Sequence, residues 1–351
     1  MGNTNTKSDN TTLLYQRLSA TIHKAEKGRK FVNIFKIIIF GGALVFFLFM
    51  WINMFLAYNE DNLSSDTVMK LVFPLFAVII LGNFIFAKAY AYFTTQEKTI
   101  IKEILQSLFP KVKYHEYLHN VTEGVLKSSH LFSGMRKVEV GIPAQTFASM
   151  ELDVENIKLN IADIGICSSK VNNTIAGSSL SFGIMAFYKG LIKPLFSSRI
   201  ESSMYDFRGM FGWAKLDKEF KTSMLILPDH LEDKLGYLAQ NIQALKKVEG
   251  NSLVKFEDTE FEHNFVVYAK DEVGARYILT PGMMQRMNEL KRKFNRNIMF
   301  SFYKDTFYVA VYMPDGFLSL KGSSLKNKNI IDEIYNDIHT SCEVLKELHL
   351  N

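Results

Sequence analysis

The run His115-Glu116-Tyr117-Leu118-His119 is a literal H-E-x-x-H. Residues four apart share a helix face, so on a helix His115 and His119 would aim two imidazoles at one zinc ion. Glu116 would then act as general base toward a metal-bound water, which is peptide-hydrolysing chemistry. Such a site needs a third protein ligand. Glu123, His130, Glu139 and Glu151 are nearby in sequence, but none belongs to a second motif. Lys111 and Lys113 lie just upstream on the same expected helix. A solvated helix surface is therefore the expectation, with a zinc-dependent membrane metallopeptidase as the alternative. No other catalytic pattern stands out: there is no P-loop, no G-x-G-x-x-G after a strand and no G-x-S-x-G. The serines of 168–181 form a polar loop without a neighbouring histidine.

The elements that would carry these residues follow from composition. Of 351 residues, 48% are hydrophobic and 22% charged, which excludes disorder as the main state. Two cysteines, Cys167 and Cys342, exclude a disulfide scaffold and read as core thiols. A formal charge of +5 is too thin to argue for nucleic acid as a partner. The apolar residues are concentrated. Ile37–Ala57 carries no charge, and at about 1.5 Å per helical residue it spans a bilayer core. A second run covers Leu71–Ala87 and reaches Phe93 if Lys88 snorkels. Between them, the loop 58–70 is acidic, while Lys24, Lys27, Arg29, Lys30 and Lys36 precede the first run and Lys88, Lys98 and Lys102 follow the second. The positive-inside rule places both termini in the cytoplasm and the loop outside. The expected layout is an amphipathic cytoplasmic segment (1–30), a transmembrane helical hairpin (31–93, spans about 37–57 and 71–93), a helical connector (94–135) and a cytoplasmic mixed α+β domain (136–351). In the first segment Leu14, Leu18 and Ile22 share a face, and its basic residues suit contact with anionic lipid.

In the cytoplasmic domain, strands are expected at 158–167, 206–216, 223–229, 253–256 and 265–269. Asp229 and Glu232 form a capping box before a helix that ends at Gly250. Thr280-Pro281 opens another, whose buried stripe is Met283, Met284, Met287 and Leu290. Lys304-Asp305-Thr306 joins a hairpin of 298–303 and 307–313, and 328–348 is an amphipathic helix. Arg276 suits an ion pair with Asp271 or Glu272, or else a ligand.

The segment from Phe256 through Val311 resembles the bacterial membrane protein family called domain of unknown function 3137. The likeness is carried by Phe261, Phe265, Val267-Tyr268, Asp271-Glu272, Ala275-Arg276-Tyr277, Leu279-Thr280-Pro281, Met284 and the hairpin after them. The upstream DFRGMFGWAKLDKEF, SMLILPD and SSHLF are similar as well. The resemblance covers about 205–315, and the chain departs from the pattern over 135–200. It implies two early spans followed by a cytoplasmic domain, no zinc motif at 115–119 and no particular chemistry. The functional expectation is a non-catalytic protein-interaction or scaffold module at the inner membrane, with an unidentified protein partner and no cofactor. Besides the zinc peptidase, a small-ligand sensor is a second alternative.

Overall fold

The computed structural model describes residues 3–59, 65–116, 121–133, 144–154, 157–166, 205–217, 219–229, 250–320 and 329–347. They fall into two compact units, divided between Ile100 and Ile101.

The first unit is helical. Helix α1 (Asn3–Lys36) passes through one π-helical turn, Ile37–Gly41, into α2 (Gly42–Asn59). Helix α3 (Ser65–Leu108) then runs 44 residues, about 66 Å at the standard rise. Leu14, Leu18 and Ile22 are buried, as their spacing requires. From Phe31 onward Val32, Ile39, Phe40 and Met50 remain buried, but large apolar side chains also face outward. Phe31, Ile34, Ile37, Val45, Phe49 and Trp51 are all more than half exposed, whereas Lys36 is buried. A helix that exposes so many large apolar side chains while burying a lysine is suited to lipid rather than water. By length and hydropathy, one described helix is able to cross a membrane: Thr12–Leu56, with a mean hydropathy of 2.3 over its best 18 residues. The second apolar run lies within α3, and most of its side chains fall outside the described residues.

The second unit is α+β. Its nine strands form one antiparallel sheet in the order β1-β2-β3-β4-β9-β8-β5-β7-β6. They are β1 (Lys113–His115), β2 (Gln145–Val154), β3 (Ile157–Ile166), β4 (Phe207–Lys215), β5 (Met224–Pro228), β6 (Ser252–Val254), β7 (Phe265–Ala269), β8 (Ile298–Tyr303) and β9 (Thr306–Tyr312). Short helices intervene: α4 (Glu123–Ser128), α5 (Thr259–Asn264), α6 (Glu272–Ile278), α7 (Pro281–Phe294) and, after the last strand, α8 (Asn329–Glu347). One face of the sheet buries Phe207, Phe211 and Met299 beneath Leu126, Leu131 and Phe132, which come from α4 and the turn after it. The other face carries Phe265, Phe300 and Phe307, in ring contact with one another and with Phe261 of α5. Helix α7 lies on that face, with α8 packed against α7 and β2. Because both faces are covered, β3, β4, β5, β8 and β9 are buried almost throughout instead of alternating.

Several expectations are corrected here. Residues 113–115 form an edge strand paired with β2, not a helix, so His115 points from extended backbone. The connector expected over 94–135 thus contributes a strand to the sheet. The strand expected at 158–167 is β3, whose alternating apolar and polar residues suggest one buried face, yet it is buried almost throughout from Leu159 onward. Residues 272–278, for which no element was expected, form a short helix capped by Asp271. The hairpin turn is two residues long, because Thr306 already pairs with Tyr303. The expected helix after Asp229, the loop 168–181 and Cys167 lie outside the described residues.

Candidate functional site

Tyr303 and Lys304, at the end of the β8–β9 hairpin, line one side of an open groove. The tight Lys304-Asp305 turn needs a left-handed residue, and Lys304 supplies it at φ +54. The turn's carbonyls face the chain leaving β4: Asp305 O accepts from Leu216 N and Lys304 O from Phe220 N, both at 2.7 Å. Phe220 packs edge-on against Phe302 at 5.0 Å, which fixes the segment 219–223 beside the hairpin end. Thr222 is buried, and its Oγ1 accepts the Asp271 backbone N–H at 3.1 Å. Asp271 then turns its carboxylate to the first turn of α6, accepting from Val273 N at 3.1 Å and Gly274 N at 2.8 Å. Gly274 has no alternative here. An added Cβ would stand 2.8 Å from Asp271 Oδ2 and 3.0 Å from Thr222 Cγ2.

These contacts border the open groove of about 670 Å³, lined by Glu219, Lys221, Lys270, Asp271, Tyr303 and Lys304. Its three lysines are exposed. The Lys221 ammonium stands 4.2 Å from the Tyr277 ring centre and Lys304 5.4 Å from that of Tyr303. Three cations thus meet two carboxylates, and one of those, Asp271, is already engaged by helix amides. Beside the groove, Val273 and Tyr277 stand one turn apart on α6 and are 77% and 68% exposed. Basic groups next to an apolar-aromatic shelf can hold an acidic, partly apolar chain. Asp305, below the turn, is held under the usual carboxylate range, first by its hydrogen bond from Lys215 and then by that from Thr306.

A second polar cluster lies inside the sheet. Arg208 of β4 grips Asp163 of β3 through both oxygens, the Nη2–Oδ2 contact being 2.9 Å, and both side chains are at most 3% exposed. The Arg208 guanidinium also donates to the Ile164 carbonyl and lies 3.5 Å from the Phe147 ring centre. Gly316, at φ +90, makes room for it, since a Cβ there would meet Arg208 Nη2 at 2.8 Å. The pair joins neighbouring strands and has no opening to solvent, so it serves structure. Sequence reasoning missed both residues. Their signal was a charge set among apolar neighbours in each strand, Asp163 between Ala162 and Ile164 and Arg208 beside Phe207.

The residues singled out by motif are dispersed. Glu116 pairs with Lys102 at 3.2 Å, and His115 is exposed on β1 opposite Ser149. His119 lies outside the described residues. Of the companion ligands considered, Glu151 pairs with Lys158, Glu123 with Lys127, and His130 packs edge-on against Tyr303. Among the described residues, no three His, Cys, Asp or Glu side chains are grouped to hold a metal ion. Arg276 pairs with Glu272 at 2.8 Å and donates to the Lys255 carbonyl at 2.7 Å, which ties α6 to the end of β6. Of the two carboxylates considered for it, Glu272 is the one in contact.

Residues 205–350 match the family model described as "Protein of unknown function (DUF3137)". Over that stretch the chain is similar to DUF3137. The DUF3137 segment runs from the start of β4 through α8 and contains every residue lining the groove. Asp163, His115, Glu116 and the apolar helices lie before it. No curated protein and no solved structure matches the chain.

Proposed function

We propose that this protein is a non-catalytic binding module held at a membrane, and that its groove receives an acidic segment of a protein partner. The observation that carries this reading is the pairing of Lys221, Lys270 and Lys304 with the exposed Val273–Tyr277 shelf. An open trough suits an extended chain better than a small molecule, because a small ligand gains affinity by being enclosed. Exposed aromatics flanked by cations are the composition of a protein-binding surface. Anchoring follows from the outward-facing apolar surface of α1 and α2. With the second apolar run in α3 also crossing, the two helices form a transmembrane hairpin in the inner membrane. The cations flanking both runs then put the two termini and the DUF3137 segment in the cytoplasm.

A photo-cross-linking amino acid at Tyr277 of the full-length protein in its own cells tests this, with the adduct identified by peptide mass spectrometry. The expected adduct is a segment rich in Asp and Glu, reduced severalfold by Lys221→Glu with Lys304→Glu. Adducts that are not acidic, or that survive the double reversal, refute the reading.

A further inference from the structure

We infer a second binding site, in the first unit, for the headgroup of an anionic phospholipid. Helices α1 and α3 run side by side at Gly28, whose added Cβ would stand 3.8 Å from Phe93 Cβ and Tyr92 Cδ1. Beside this contact lies a crevice of about 400 Å³, lined by Lys24, Lys27, Gly28, Phe31, Ala89 and Tyr92. The α1 residues follow the spacing i, i+3, i+4, i+7 and so form one stripe along the helix. Ala89 and Tyr92 are one turn apart on α3.

The stripe changes character along its length. Phe31 and Tyr92, both 55% exposed, begin the outward apolar surface that continues through Ile34, Ile37 and beyond. Lys27 and Lys24 stand about 6 and 10 Å further out along the axis, both exposed. That is the thickness of a headgroup layer above the hydrocarbon. The one acid in this part of α1, Glu26, is buried and held by both Nε and Nη2 of Arg29 at 2.9 Å, so it does not oppose the lysines. The crevice walls are apolar below and carry two ammonium groups above. A diacyl phosphate ester has that order: its chains would follow the exposed apolar faces, its glycerol would rest against Phe31 and Tyr92, and its phosphate would meet Lys24 and Lys27. A soluble phosphate could satisfy only the upper half.

This inference rests on the membrane reading above, and the test separates the two. The full chain is purified in neutral detergent, stripped of lipid, and titrated with phosphatidylglycerol, phosphatidylcholine or glycerol phosphate, with bound lipid counted by native mass spectrometry. Phosphatidylglycerol is expected to bind at least tenfold tighter than the other two. Lys27→Gln should weaken it about fivefold and Lys24→Gln with Lys27→Gln about twenty-five-fold, at low salt. Lys30→Gln removes the same charge one position off the stripe and should leave binding within twofold. Equal losses from Lys27→Gln and Lys30→Gln would mean a diffuse charge effect and would overturn the site. So would equal binding of phosphatidylcholine, or full occupancy by glycerol phosphate. Failure of the membrane reading looks different: the unmutated chain would stay dissolved after detergent removal and float with no vesicle.

Discussion

Asp163→Asn removes one charge from the sheet interior while keeping the side chain's size. Asparagine retains an acceptor oxygen, and Arg208 keeps its bond to the Ile164 carbonyl and its place on Phe147. The buried guanidinium nevertheless loses the carboxylate that it grips through both oxygens. Breaking a buried pair in this way costs about 3–5 kcal/mol. The retained contacts point to the lower end, about 3 kcal/mol. For a domain of this size that is a fall in Tm of about 6–12 °C. Replacing both partners by apolar residues, Asp163→Leu with Arg208→Met, should recover most of the loss, because no unpaired charge remains. Glu116→Gln is the comparison. It breaks the exposed Lys102–Glu116 pair and should cost less than about 1 kcal/mol. The assay is urea unfolding of the full chain in detergent, followed by Trp213 emission in a Trp51→Phe background. Trp213 sits on β4, stacked on Phe211 at 5.5 Å, and so reports this sheet. A loss for Asp163→Asn no larger than that for Glu116→Gln would refute the reasoning, and so would a double variant weaker than the single one.

Gly274→Ala drives a Cβ into Asp271 and Thr222, and should cost about 1–3 kcal/mol and lower the groove's affinity for an acidic peptide. Fluorescence anisotropy with a labelled Glu-rich peptide reads the second effect, and unchanged binding would count against the groove's geometry. Burial pushes the Tyr308 hydroxyl above its usual range, and Tyr312 is raised for the same reason. A raised tyrosine contributes stability that is intact below the unfolded value of about 10 and is lost as pH climbs through the folded value. Melting temperature measured from pH 8 to 11 should therefore fall above about pH 10, and less steeply in Tyr308→Phe with Tyr312→Phe.

Local signals were enough wherever one residue type forces one backbone state. Thr280-Pro281 opens α7, and Thr280 Oγ1 accepts from Met283 N as a capping residue should. Met283, Met284, Met287 and Leu290 are buried at helical spacing. The apolar run from Ile37 is helical and exposes large apolar side chains such as Ile38, Val45, Phe49 and Ile52. The H-E-x-x-H motif misled because a spacing argument assumes a helix. Here the chain had already broken after Leu108, and Tyr114 gained more by pairing with Met150 in the sheet.

The sequence by itself determined where the chain is greasy and where α7 starts, since each depends on neighbours within a few residues. The tertiary structure alone decided the sheet order, the Asp163–Arg208 pair, the lysine groove and the crevice at Gly28. Those features join residues tens of positions apart, and no local pattern records which strand or helix will lie beside which. That choice is made by burying both faces of one sheet and the inner stripe of two helices together, a property of the whole packed chain.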